Sequence, residues 1–254
     1  MAPIVFMDLV WALGLVGLAT ASAATALAVH GALPSALGLA LALAAAIVTW
    51  IGVCAAVLFA LPKPRPGRHP MMRGRDFYAW ALAFIARRWL DVPPMSLLYR
   101  QSGLLRFLVL RAAGARVAFT AQLSSDAVLL DPGLLVIGEG ALVGSQATLA
   151  GHFILDDQLV LAPIVIGPGA QVAIDVLLGP GVVLGKGAVI EARASIGPQS
   201  LVGDGAVIGA TAALGRAVTI GDRARIPMGS VIPAKAQVPA EGTWPVAPDQ
   251  DVIR

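Results

Sequence analysis

A large aliphatic residue returns every six positions along the second half of this chain. Cut from Ile166, the sequence reads IGPGAQ, VAIDVL, LGPGVV, LGKGAV, IEARAS, IGPQSL, VGDGAV, IGATAA, LGRAVT, IGDRAR, IPMGSV: eleven hexads in register without an insertion. Position one is Ile, Val or Leu in every hexad, position two is Gly in eight, and position five is Ala, Val or Ser. A period of six matches neither the 3.6 of a helix nor the 2 of an ordinary strand. It fits a short flat strand and a turn, with one aliphatic side chain pointing inward from each face. Small residues at position five fit beside it, and glycine admits backbone conformations closed to other residues. Three faces per coil make a prism, the hexapeptide parallel β-helix, in which each coil pairs with the next and the aliphatic side chains stack into one core.

An earlier block, IGEGAL, VGSQAT, LAGHFI (137–154), carries the pattern in another phase, and less regular coils are expected from about Val117. Between the blocks, HFILDDQLVLAPIV (152–165) breaks the register. A break in a regular solenoid predicts an extruded loop, and loops on rigid scaffolds are where sites are built.

The first half has a different character. The whole chain is 57% hydrophobic and 13% charged, and the excess is concentrated between Leu9 and Pro62, which contains no Lys, Arg, Asp or Glu. HGALPS (30–35) interrupts that run, and each half offers the roughly 20 apolar residues needed to cross a bilayer. Two transmembrane helices are predicted, about 9–29 and 36–61. ASA at 21–23 resembles a signal-peptide cleavage site, but MAPIVFMD lacks a basic start and the apolar stretch is too long. Lys63, Arg65, Arg68, Arg73 and Arg75 follow the second span, so the positive-inside rule places the rest of the chain, and the N-terminus, in the cytoplasm. The expected location is a bacterial inner membrane, multi-pass. The basic cluster, which includes His69, reads as a topology and anionic-lipid anchor rather than a nucleic-acid site. Cys54, the single cysteine, lies in the second span and fits a reducing compartment.

DFYAWALAFIARRWLDV (76–92) places Phe77, Ala81, Phe84, Ile85 and Trp89 at helical spacing, as a helix either at headgroup level or packed on the soluble domain. Pro93-Pro94 ends it. SLLYRQSGLLRFLVLRAAGARV (96–117) is a second amphipathic stretch, with Arg100, Arg106 and Arg111 on its polar side and Gly114 as C-cap. The expected organisation is a transmembrane hairpin over 1–62, a basic and amphipathic segment over 63–116, the β-helix over 117–234 and a tail over 235–254.

The hexads resemble the left-handed β-helix acyltransferase superfamily, which includes serine, maltose and sugar O-acetyltransferases. A more specific resemblance is to the membrane-embedded C-terminal domains of poly-lysine-synthetase-type non-ribosomal peptide synthetases. LRAAGARV (110–117), LLVIGEGALVG (134–144), AGHFILDDQLVLAPIVIG (150–167) and VPAEGTWPVAP (238–248) carry it, over roughly residues 105–248. The resemblance implies an all-β left-handed parallel β-helix behind two transmembrane helices and amphipathic helices. It also implies a homotrimer, an acyl thioester donor and a histidine general base. Carried onto this chain, the base is His152, in the β-helix where the register breaks. The tail departs from the family: Glu241 lengthens the turn, and a lysine common there is displaced to Lys235, which leaves Lys235 without a carried-over role.

An imidazole titrates near neutrality and can take a proton from an attacking oxygen or nitrogen. Asp156 or Asp157 is the expected carboxylate orienting it, the alternative being that the pair is turn chemistry. Lys186, Arg193, Arg216, Arg223 and Arg225 fall outside positions one and five. Lys186 and Arg193 are candidates to meet the phosphates of coenzyme A, or they serve solubility and trimer contacts. GPGVVLGKG is no phosphate loop, because its glycines follow the six-residue rule and no helix follows. One histidine in the β-helix cannot build a three-histidine metal site, so no metal is expected. Two functions stand at this point. One is a membrane-anchored acyltransferase moving an acyl group from acyl-CoA or a carrier-protein thioester to a hydroxyl or amine at the cytoplasmic face, the acceptor being a small molecule or lipid-linked. The other is a non-catalytic trimeric scaffold that organises membrane-associated enzymes.

Overall fold

The computed structural model describes residues 2–93 and 95–245, so Pro94 and the end of the VPAEGTWPVAP stretch lie outside the described residues. The chain divides into two compact units, Met1–Pro64 with Pro70–Gly114, and Arg65–His69 with Ala115–Arg254.

The first unit is helical. Helices α1 (Ala2–Ala32) and α2 (Ala36–Ala60) contain apolar windows, Met7–Ala32 and Ala36–Ala60, long enough to cross a membrane. Within the chain, only 11% of the first window and 28% of the second is buried. Leu13, Leu27, Leu43 and Phe59 are instead exposed around their sides. The turn between the helices is fixed locally. The Ser35 hydroxyl accepts from Gly38 N–H at 3.0 Å, capping α2, and a Cβ at Gly38 would stand 1.5 Å from the Leu33 carbonyl oxygen.

The helix expected over 76–92 forms as α3 (Gly74–Arg88) and continues as a 3₁₀ turn, Trp89–Asp91. Its end packs on the apolar hairpin. Ile85, Ala86, Trp89 and Leu90 join Trp50, Ile51, Cys54 and Leu58 of α2 in one core. Trp89 is the wedge. Its indole donates to the Trp11 carbonyl at 3.2 Å, its own carbonyl accepts from the Trp50 indole at 3.0 Å, and its ring lies where a Cβ at Gly14 would be.

The stretch 96–112 is not one helix. Ser102 breaks it into α4 (Met95–Gln101) and α5 (Gly103–Ala112), with the Ser102 hydroxyl accepting from Leu105 N–H. Gly114 takes φ +98 just past α5, the expected C-terminal glycine. Arg106 does not lie on a polar side as expected. It stands one turn before Leu110, on the face that α5 buries. The Lys63 ammonium donates to the carbonyls of Leu58, Phe59 and Ala112, closing the ends of two helices. That partly buried position lowers its pKa through desolvation.

The second unit is the parallel β-solenoid that the hexads predict. Its coils wind over three sheets of seven, six and six short strands. Registers such as Val165↔Val183, Gln171↔Val189 and Leu177↔Ser195 make the regular coil three hexads long, one hexad per face. All eleven position-one residues from Ile166 to Ile226 are buried. At position five, Ser200 is buried among Ala and Val, its hydroxyl donating to Gly215 O at 3.0 Å and accepting from Val218 N–H at 3.2 Å.

Glycine at position two has a different cause from the one expected. Backbone freedom is used at position four, where φ is positive even for Gln199 (+62) and Arg223 (+56). At position two the successive coils touch: a Cβ at Gly197 would lie 2.4 Å from Gly215 O, and one at Gly221 would lie 2.4 Å from Ala240 N. Two further hexads, from Ile232 to Thr243, extend the solenoid beyond the expected boundary at 234, since Gln237–Val238 pairs with Thr219–Ile220.

Candidate active site

The coils depart from the three-hexad length at one corner, on two successive turns. Arg116 pairs with Val136, a coil slightly longer than three hexads, and Leu135 pairs with Ile164, a coil longer by almost two hexads. Both insertions lie between the third face (Val128–Leu129, then Thr148–Leu149) and the first (Leu135–Ile137, then Ile164–Ile166). The smaller one makes the Asp131 corner and a 3₁₀ turn at Pro132–Leu134. The larger one is extruded as an antiparallel hairpin, His152–Leu155 against Gln158–Leu161, with His152 opposite Leu161 at its base.

Stacking these corners brings Asp131 to His152. The imidazole Nδ1 is 2.7 Å from Asp131 Oδ2, with the two side chains 18% and 5% exposed. Gly151 permits the approach, because a Cβ there would sit 3.1 Å from the Cβ atoms of both Asp131 and Leu134. A carboxylate accepting from Nδ1–H selects the tautomer whose lone pair is on Nε2 and holds the ring in one orientation. It also stabilises the imidazolium once Nε2 takes a proton.

Asp156 and Asp157, the expected partners, stand elsewhere. They form the two-residue turn closing the hairpin, with φ of +49 and +54, the conformation of a type I′ turn. Three residues of extended strand separate that turn from His152, so Asp156 lies roughly 14 Å along the strand at about 3.4 Å per residue. Asp131 is the residue that sequence reasoning misses. Its one signal is LLDPGLLVIG, where Asp-Pro-Gly interrupts the alternation one coil before the His152 segment.

The hairpin is the middle and one edge of a three-stranded sheet whose other edge is Gly67–Pro70. Part of the stretch read as a membrane anchor therefore pairs with the hairpin that begins at His152. A serine-aspartate cluster lies at another corner, between the second and third faces. The Ser124 hydroxyl donates to Asp126 at 2.6 Å, the Ser145 hydroxyl of the next coil donates to it too, and together they hold its carboxyl down at about 2.

Lys186 and Arg193 are not brought together. Lys186 lies in the turn between the first and second faces, where its backbone N–H donates to Asp204 at 2.7 Å. Arg193 lies in the turn between the second and third faces, its guanidinium 3.8 Å from Asp175 in an exposed pair. Among the described residues, no three His, Cys, Asp or Glu side chains converge as a metal site.

No protein-family model matches the sequence, and no curated protein matches it. Solved structures with a similar fold include the acetyltransferase domain of PglB from Neisseria gonorrhoeae in complex with acetyl coenzyme A. That domain is 20% identical over 78% of this chain and 92% of its own, with a TM-score of 0.34. A mutant of GDP-perosamine N-acetyl transferase from Caulobacter crescentus, in complex with CoA and GDP-perosamine, is 19% identical over 59% and 67%, with a TM-score of 0.33. An acetyltransferase from Bacillus cereus is 18% identical over 48% and 71%, with a TM-score of 0.27.

Proposed function

We propose that the protein is a membrane-anchored acyltransferase that moves an acyl group from a thioester to a hydroxyl or amine. The observation that carries this is the 2.7 Å contact between His152 and the mostly buried Asp131, built by insertions on two adjacent coils. A surface histidine in a turn needs no buried carboxylate, whereas a general base needs one tautomer and one orientation.

His152 Nε2 takes the proton of the acceptor O–H or N–H as that atom bonds to the thioester carbonyl carbon. The tetrahedral intermediate collapses with cleavage of the carbon–sulfur bond. The thiolate leaves and receives the proton from the imidazolium, which returns His152 to its starting state. Asp131 stabilises the transient imidazolium throughout. The donor is acyl-CoA, with a carrier-protein thioester as the second source that the synthetase-type resemblance suggests. The long, mostly exposed apolar α1 and α2 support an anchor, with the solenoid on the basic, cytoplasmic side. The acceptor is then a small or lipid-linked molecule, and three copies form the working assembly.

The test is a titration of the detergent-purified chain with acetyl-CoA beside a His152→Ala variant. Saturable binding near one per protomer, with thioester turnover lost in the variant, is expected. Binding without turnover in either protein would overturn the enzymatic reading and favour the scaffold; no binding at all would leave the carrier-protein thioester as donor.

A further inference from the structure

The helical unit contains a pocket of about 250 Å³ that the acyl-transfer reading does not use. Met7, Asp8 and Trp11 of α1 line one side, and Phe84, Ile85 and Arg88 of α3 line the other. Three of these side chains present polar groups. Asp8 and Arg88 are both exposed, and no ion pair joins them among the described residues. The Trp11 indole N–H is buried and, among the described residues, has no hydrogen-bond partner. A buried donor left unmatched costs about 1–3 kcal/mol, so a ligand oxygen there would be favoured. The remaining walls are apolar.

Position narrows the ligand. The charge-free run that opens at Leu9 begins directly after Asp8, so on the membrane reading the pocket sits at the end of the span where hydrocarbon gives way to headgroups. We propose that the pocket binds a membrane phospholipid whose headgroup carries a primary ammonium, a phosphoethanolamine lipid. Its phosphate lies on Arg88 and the Trp11 N–H, its ammonium on Asp8, and the start of an acyl chain on Met7, Phe84 and Ile85. A purely anionic headgroup has a phosphate for Arg88 but no cation for Asp8, whose carboxylate would be left without a counter-charge. A trimethylated ammonium has no N–H for that carboxylate to accept. Free inorganic phosphate would leave the apolar wall wet. The proposal rests on the membrane reading above.

Native mass spectrometry of the detergent-solubilised full-length chain tests it, after exposure to phosphatidylethanolamine, phosphatidylcholine or phosphatidylglycerol. One phosphatidylethanolamine per protomer is expected, with Arg88→Gln weakening retention about tenfold, the size of one lost hydrogen bond to a charged group. Asp8→Asn is expected to erase the preference over phosphatidylcholine, and Trp11→Phe to weaken all phosphate-bearing lipids alike. Equal retention of the three lipids, or retention unchanged in Arg88→Gln, overturns the proposal. Alkaline carbonate extraction of membranes separates the two failures. A chain that stays in the membrane without lipid preference overturns the pocket alone, and a chain that is extracted overturns the membrane reading and the pocket with it.

Discussion

His152 is an ordinary imidazole until Asp131 fixes it. The 5%-exposed carboxylate chooses which nitrogen holds the lone pair, so in the proposed mechanism Asp131 is a positioning residue that acts through His152. Asp131→Asn is expected to lower kcat by up to about 10⁴-fold, the size seen when a base is left in the wrong tautomer, with KM for the thioester little changed. His152→Ala should lose the roughly 10²–10⁴-fold that a general base contributes. A kcat in Asp131→Asn equal to that of the unmodified chain, over the full pH profile, would remove Asp131 from the mechanism. Asp126 offers an independent reading at the same scale. Its carboxyl, at about 2 in the folded chain, lies below the ordinary 3.8, so the folded state holds the ionised form more tightly than the unfolded one. Its contribution to stability is therefore complete above about pH 4 and is lost as pH falls through about 2. Ser145→Ala should move the Asp126 titration midpoint up toward 3.8 and flatten the acid dependence in that window, as followed by carboxyl carbon chemical shifts.

At the level of the elements, two different steric rules produce one glycine-rich pattern. Position four asks the backbone for positive φ, and side chains such as Arg223 accept it; position two asks for the absence of a Cβ, because the next coil is already there. The Gly197 position shows the difference, with a Cβ only 2.4 Å from Gly215 O. Gly197→Ala is expected to cost about 1–3 kcal/mol, as overpacking does, while Gly187→Asn, at a position with φ +64 and nothing near its Cβ, should cost well under that. Chemical denaturation of the two variants checks the order. In the helical unit the corresponding close contact is Trp89 over Gly14, holding the 3₁₀ turn after α3 to α1 and α2. Trp89→Ala should destabilise this unit by about 3–5 kcal/mol, visible as earlier loss of helical signal on heating in detergent.

The whole molecule joins two units that dispose of their apolar side chains differently. The solenoid encloses its aliphatic side chains in the prism, whereas α1 and α2 display Leu13, Leu27, Leu43 and Phe59 outward. The chain passes between the two units more than once, since Arg65–His69 belongs to the solenoid unit while the residues on both sides of it belong to the helical one. Exposed apolar side chains at strand position six, among them Leu177, Leu201 and Val231, lie on the outer faces of the solenoid. Those faces suit the homotrimer the resemblance implies. The detergent-corrected mass in solution should be three times 25.9 kDa, and a monomeric mass in active preparations would refute it.

The period of six was enough to determine the solenoid, because each aliphatic side chain must find the same interior and only one winding brings position one inward eleven times. The charge-free run from Leu9 to Pro62 likewise determined two long apolar helices, and the register break announced where something would protrude. These are one-dimensional regularities, and local physics reads them without knowing what lies across the fold. What surrounds His152 was decided in three dimensions. Asp156 and Asp157 are near it in sequence and carried away by the hairpin, while Asp131 stands a full coil earlier and is delivered by coil stacking. The same holds for Gly67–Pro70, whose sequence gives no strand signal and which becomes a strand only because the hairpin offers an open edge. It holds too for Arg106, drawn inward with Leu110 by the face that α5 buries. Repetition reveals itself along the chain, but a site assembled from its exceptions depends on which coil rests on which.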